Sequence, residues 1–176
     1  MIDPRVQQLA RNLVGYSIDC QPNDKVLVEM FGKERDLVNA IVEEIYVRGG
    51  IPYVNLIDHT VQRSLLMGAS ESTVRFWADV DLYRMKQMDA YIGIRAGDNV
   101  NELSDVPDPN MRIYEKLYKH PVHSEERVKR TKWVVLRYPN ASMAQLANTS
   151  TKAFEDFYFK VCNLDYARMS NAMDAL

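Results

Sequence analysis

Four short apolar runs, residues 25–30 (KVLVEM), 52–57 (PYVNLI), 90–95 (AYIGIR) and 133–138 (WVVLRY), recur along the chain with helix-length amphipathic stretches between them. Strands of about six residues joined through helices make parallel βαβ units with right-handed crossovers. The expected fold is therefore α/β: a three-layer sandwich with a mostly parallel sheet of about four or five strands and Rossmann-like crossovers. No tandem repeat and no Gly-, Ser- or Pro-rich linker divides the 176 residues, and the length suits one domain.

The helical stretches carry their own punctuation. Asp3 before Pro4 is a helix start, because the carboxylate can cap free N–H groups and proline's fixed φ suits the first helical position. Val6, Leu9, Ala10, Leu13 and Val14 then share one helix face. A second stripe, Leu37, Val38, Ile41, Val42 and Ile45, ends at Gly49-Gly50, where a left-handed cap is cheap. Further helical material spans 61–67 and 71–88, and Asp108-Pro109 starts a helix expected to run through Lys119. Ser150 caps a helix to about Val161, and a last pattern begins near Asp165. Its stripe of Tyr166, Met169, Met173 and Leu176 meets no stop signal, so the chain reads as cut within or just after a helix. With Phe154, Phe157 and Tyr158, that stripe is the expected packing surface for a further domain.

Composition bounds the partners. Twenty-two Lys and Arg against 24 Asp and Glu give a net charge of −2, which argues against nucleic acid and anionic membrane as partners. The opening residues lack a signal-peptide pattern, and no stretch approaches the ~18 apolar residues of a membrane span. Cys20 and Cys162 are few and far apart, as in a reducing cytoplasm, although spacing alone leaves one disulfide open.

Few residues of the chain point to a particular chemistry. His59, His120 and His123 are the only histidines, and Pro121 between the last two argues for solvated loop histidines rather than a metal pair. Cys162, in FYFKVCNL, reads as a small hydrophobe. Phe31-Gly32-Lys33-Glu34 has one glycine and no phosphate-loop spacing. Arg127, Lys129, Arg130 and Lys132 read as a solvated helix end. Ligands of open parallel sheets bind beyond the carboxyl ends of the strands, which selects the loops at Gly32-Lys33-Glu34, Asp58-His59, 95–99 and Pro139-Asn140. The third loop is the most polar, and Arg95, Asp98, Asn99 and Glu102 are its candidate contacts, with Asn99 and Glu102 equally suited to bracing it.

Residues 131–147 (TKWVVLRYPNASMAQLA) and 153–170 (AFEDFYFKVCNLDYARMS) resemble the amino-terminal domain of the aminopeptidase T and aminopeptidase S family. So do residues 13–29 (LVGYSIDCQPNDKVLVE), the RGGIPYV segment and 95–103 (RAGDNVNEL). The resemblance spans essentially the whole chain. It implies a cytoplasmic, homodimeric enzyme that hydrolyses amino-terminal residues from peptides with two divalent metal ions of zinc or cobalt type. It also implies that the metal ligands and acid/base groups lie in a carboxyl-terminal catalytic domain, so no catalytic or metal residue is assigned to any position here. Residues 1–176 are then the amino-terminal domain of a larger enzyme, without activity or metal alone, whose partner is its own catalytic domain. Two alternatives stand beside this: a free-standing α/β binding or assembly module, and a small-molecule site using the 95–102 loop, which requires a pocket at the strand carboxyl ends.

Overall fold

The computed structural model describes residues 2–173. Strands β1 (Lys25–Gly32), β2 (Ile51–Ile57), β3 (Ala90–Ala96) and β4 (Lys132–Arg137) form a single sheet in the order β2-β1-β3-β4. All three pairings are parallel, as the alternation of strand and helix requires. The two central strands, β1 and β3, are buried on both faces, while β2 and β4 are partly exposed edges. That is why KVLVEM and AYIGIR read as continuous apolar runs rather than as alternations.

Successive side chains point to opposite faces, so each strand feeds two cores. Val26, Val28 and Met30 of β1, with Ile92 and Ile94 of β3, pack against α1 (Pro4–Asn12), α2 (Arg35–Val47) and α8 (Thr151–Cys162). The other face carries Leu27, Glu29, Tyr91 and Arg95. It is covered by α3 (His59–Met67), α4 (Glu71–Met85) and the long helix that begins at α5 (Asp108–Tyr114). The three-layer sandwich expected from the sequence is the observed fold.

The caps behave as their chemistry demands. Asp3 accepts from Arg5 N at 2.8 Å, Asp58 from Thr60 N at 2.8 Å, and Ser150 from Ala153 N at 3.2 Å. Gly49 takes φ +76°, closing α2 in the left-handed region. Both cysteines are free thiols.

The segment after Asp108 departs from expectation. Pro107, not Asp108, holds the cap position of α5. The helix does not stop near Lys119 but runs on as a π-helical stretch, Glu115–Arg127, with Pro121 inside it, and closes with α6 (Val128–Arg130). Proline lacks the N–H that an α-helix interior needs. Rules built on α-helical spacing therefore read Pro121 as a terminator, whereas the wider π winding carries the chain past it.

Candidate functional site

The loops after the four strands lie along one edge of the sheet. The β1→β2 connection passes over one face through α2, and the β3→β4 connection passes over the other through α5 and the helix that continues it. The loops leaving β1 and β3 therefore diverge, and their carboxyl ends form the switch point at which such sheets bind ligands. Gly32 sits there with φ +132°, and a Cβ added to it would lie 2.4 Å from Ala96 O. Asn140, which caps α7 (Ala141–Leu146) by accepting from Met143 N at 3.0 Å, also donates from Nδ2 to Gly97 O at 2.9 Å. One side chain thus ties the β4 loop to the β3 loop. Asn140→Ala removes the cap and leaves a carbonyl unpaired, with an expected loss of about 1–3 kcal/mol in urea unfolding.

The candidates in the 95–102 loop separate into two groups. Asn99 Nδ2 donates to Glu102 Oε2 at 3.0 Å, and Asn99 Oδ1 accepts from Asn101 N at 3.0 Å. These residues brace the loop. Asp98 stands near Glu34, whose pKa is pushed up first by burial and then by the Asp98 charge. Arg95 belongs to the sheet face, its guanidinium stacked 3.8 Å from the centroid of the Phe31 ring.

Beneath Arg95 lies a polar network that spans the second core. Glu29, in the middle of β1, is fully buried. Arg127 grips it in a two-pronged ion pair, Nη1 to Oε1 and Nη2 to Oε2, both at 3.0 Å. The Tyr91 hydroxyl donates to Oε1 at 2.9 Å and Asn55 Nδ2 to Oε2 at 3.1 Å. Gly93 stands opposite Glu29 in the β1–β3 register, and a Cβ there would come within 2.8 Å of the Tyr91 hydroxyl oxygen. The bare glycine is what lets Tyr91 lie across to the carboxylate. Arg127 is 3% exposed, so the expected solvated helix end is corrected at this position: one of its four cations is an internal counter-ion.

A cleft of about 400 Å³ opens above this network, lined among others by Phe31, His59, Trp77, Arg95, Tyr114 and His123. His123 is thus a helical residue on the cleft wall and not a loop histidine, whereas His120 is exposed. Burial, and then the Arg95 charge, hold His59 below its ordinary value of 6.5. Burial, then Arg127 and Arg95, do the same for His123. At these two histidines the folded chain therefore binds fewer protons than the unfolded chain as pH falls through 6.5. Stability should hold above that pH and decline below it, and His59→Gln/His123→Gln should flatten the decline between about pH 7 and about pH 5.5 in urea titrations.

Comparison with known proteins places this architecture. The family model described as thermophilic metalloprotease (M29) matches residues 2–173. The chain belongs to the M29 family. Among solved structures, wild-type AmpT from Thermus thermophilus superposes with a TM-score of 0.68 at 13% identity, over 90% of this chain and 42% of that one. The M29 chain thus spans less than half the length of AmpT, and at that identity the likeness speaks to fold alone. An alcohol dehydrogenase superfamily protein from Novosphingobium aromaticivorans aligns at a TM-score of 0.38 and 12% identity, over 94% of this chain and 50% of its own, too weakly to inform on fold. No curated protein matches in sequence. Among the described residues no helix is long and apolar enough to cross a membrane.

M29 membership implies divalent metal ions, and the donor set of this M29 chain does not suit them. Glu29, the carboxylate in the lining of this cleft, is already held by Arg127, and the Arg95 guanidinium, without an ion-pair partner among the described residues, shares the lining with both histidines. A cation entering there would meet positive charge. No group of three or more His, Cys, Asp or Glu side chains that could hold a metal occurs among the described residues.

The aromatic carboxyl-terminal surface is divided. Tyr158 packs edge-on against Phe159, whose burial docks α8 on the core, and Phe154 is half-buried beside Phe157. Tyr166, at the start of α9 (Tyr166–Met173), stacks on Tyr16 at 5.4 Å. Phe157, Met169 and Met173 remain exposed, at 62%, 42% and 65%. Leu176 lies outside the described residues. Sequence reading missed Glu29 and Arg127 as partners. The available signal was a lone carboxylate inside an otherwise apolar strand, which a buried position tolerates only when paired.

Proposed function

We propose that this chain is the amino-terminal, non-catalytic part of a metal-dependent aminopeptidase that removes amino-terminal residues from peptides. The observation that carries the reading is the pairing of a family match over residues 2–173 with coverage of only 42% of AmpT. In this reading two divalent ions of zinc or cobalt type are held by a carboxyl-terminal domain, consistent with the cationic, metal-averse character of the cleft. Phe157, Met169 and Met173 then pack on that domain, and the whole enzyme works as a cytoplasmic homodimer.

The test is hydrolysis of leucine p-nitroanilide by the purified 176-residue chain with added cobalt or zinc. The expected result is no turnover above a mock purification. Metal-dependent turnover above that level would overturn the non-catalytic assignment. A second reading, a binding module without a catalytic partner, is favoured by the cleft at the strand carboxyl ends. Reading the gene beyond the Leu176 codon separates the two: a continuing frame rich in Glu, His and Asp supports the first, and an immediate stop supports the second.

A further inference from the structure

We propose that the cleft formed by Arg95, Tyr114, His59 and His123 is a binding site for a small organic oxyanion, one that presents a carboxylate or phosphate group to Arg95.

Four observations converge on that chemistry. First, Arg95 lies flat on Phe31, and among the described residues no carboxylate comes within 4.0 Å of its guanidinium. A stacked guanidinium has its face covered and its donor edge free, the arrangement that meets planar oxyanions two bonds at a time. Second, the Tyr114 hydroxyl accepts from Gln62 Nε2 at 3.1 Å and, among the described residues, donates to nothing. Its proton is free for an acceptor in the cleft. Third, three buried nitrogens of cleft-lining residues, His59 Nδ1, His123 Nδ1 and Arg127 Nε, have no partner among the described residues. Buried polar atoms are nearly always paired, so the wall of the cavity is left with incomplete bonding, with His59 Nδ1 on the side of Gly97. Fourth, the acidic group of the cleft is already claimed, because Glu29 takes four hydrogen bonds from Arg127, Tyr91 and Asn55. What remains is rich in donors, poor in acceptors and positive by the charge of Arg95.

The body of the ligand follows from the rest of the wall. Trp77, stacked against Tyr114 at 5.5 Å and tilted against Tyr118 at 4.6 Å, and Leu103 give the cleft an apolar side. A cavity of about 400 Å³ suits a molecule the size of an amino acid or an aryl acid. The proposal is independent of whether the chain belongs to a larger peptidase.

The test uses the purified chain and three probes: sodium phenylacetate, inorganic phosphate and the uncharged analogue phenylacetamide, each compared with sodium chloride at equal ionic strength. Binding is read from the imidazole resonances of His59 and His123 by NMR, with exposed His120 as the internal reference. The expected result is a saturable shift of both cleft histidines with at least one anion and none with phenylacetamide or chloride. Phenylacetate alone assigns a carboxylate ligand, phosphate alone a phosphate ligand, and both together a shared oxyanion site. Arg95→Gln should weaken binding by roughly tenfold or more, and Tyr114→Phe, which deletes only the hydroxyl, by several-fold. The proposal is overturned if neither anion moves the two resonances more than chloride does, or if both variants bind as the parent does.

Discussion

Arg127→Ala is expected to lower the unfolding free energy by about 3–5 kcal/mol, the usual consequence of stranding one partner of a buried ion pair. The position meets the conditions for that loss. Glu29 is fully buried and Arg127 is 3% exposed, and the two are joined by parallel bonds of 3.0 Å. Removing the guanidinium leaves a carboxylate in the second core with only Tyr91 and Asn55 to solvate it. The paired variant Glu29→Leu/Arg127→Leu removes both charges together and should recover more than half of the loss, since well-packed apolar replacements of buried pairs are often close to neutral. Urea unfolding of the three proteins measures both quantities. A single variant within about 1 kcal/mol of the parent would show that the carboxylate takes up a proton or water and that the pair does not hold the core.

Gly32→Ala should cost about 2–4 kcal/mol, combining the strain of a positive φ with overpacking. The backbone at φ +132° is one that side chains rarely adopt, and the new Cβ would face the Ala96 carbonyl at 2.4 Å. That neighbour is main chain of β3 and cannot swing aside, so β1 and β3 would have to part at the switch point. Gly68→Ala is the matched control: nothing lies within 4 Å of a Cβ there and its φ is −103°. The control should change stability by less than about 0.5 kcal/mol or raise it slightly. Equal effects at both positions would remove the argument that the crevice between β1 and β3 is set by close backbone approach.

Much of the fold was legible because its signals are local. The Asp3, Ser150 and Gly49 punctuation, the apolar runs of β1 and β3, and the sharing of one edge by the four strand-end loops all follow from neighbours a few residues apart. The candidate site was legible only in outline. Arg95 could be placed at a strand end, but its separation from Asn99 and Glu102, which turn away to brace their loop, depends on which face of β3 it takes. Arg127 looked like one of four exposed cations because its partner is 98 residues away in the chain. His123 was hidden by Pro121, since the π-helical winding that carries the chain through proline leaves no simple periodicity. Long-range charge pairing and non-α winding are the two physical reasons the cleft could not be read from spacing.

The order of strands also sets the order in which a growing polypeptide can satisfy itself. Synthesis delivers β1 first, yet β1 occupies an inner place in the sheet, with β2 on one side and β3 on the other. Its second neighbour is complete only at Ala96, and the counter-ion of Glu29 emerges only at Arg127. Until then the nascent chain carries an apolar segment with one charge at its middle, and that charge favours water over premature burial. The residue that locks the finished core is thus the one that keeps its first strand hydrated while the ribosome supplies the rest.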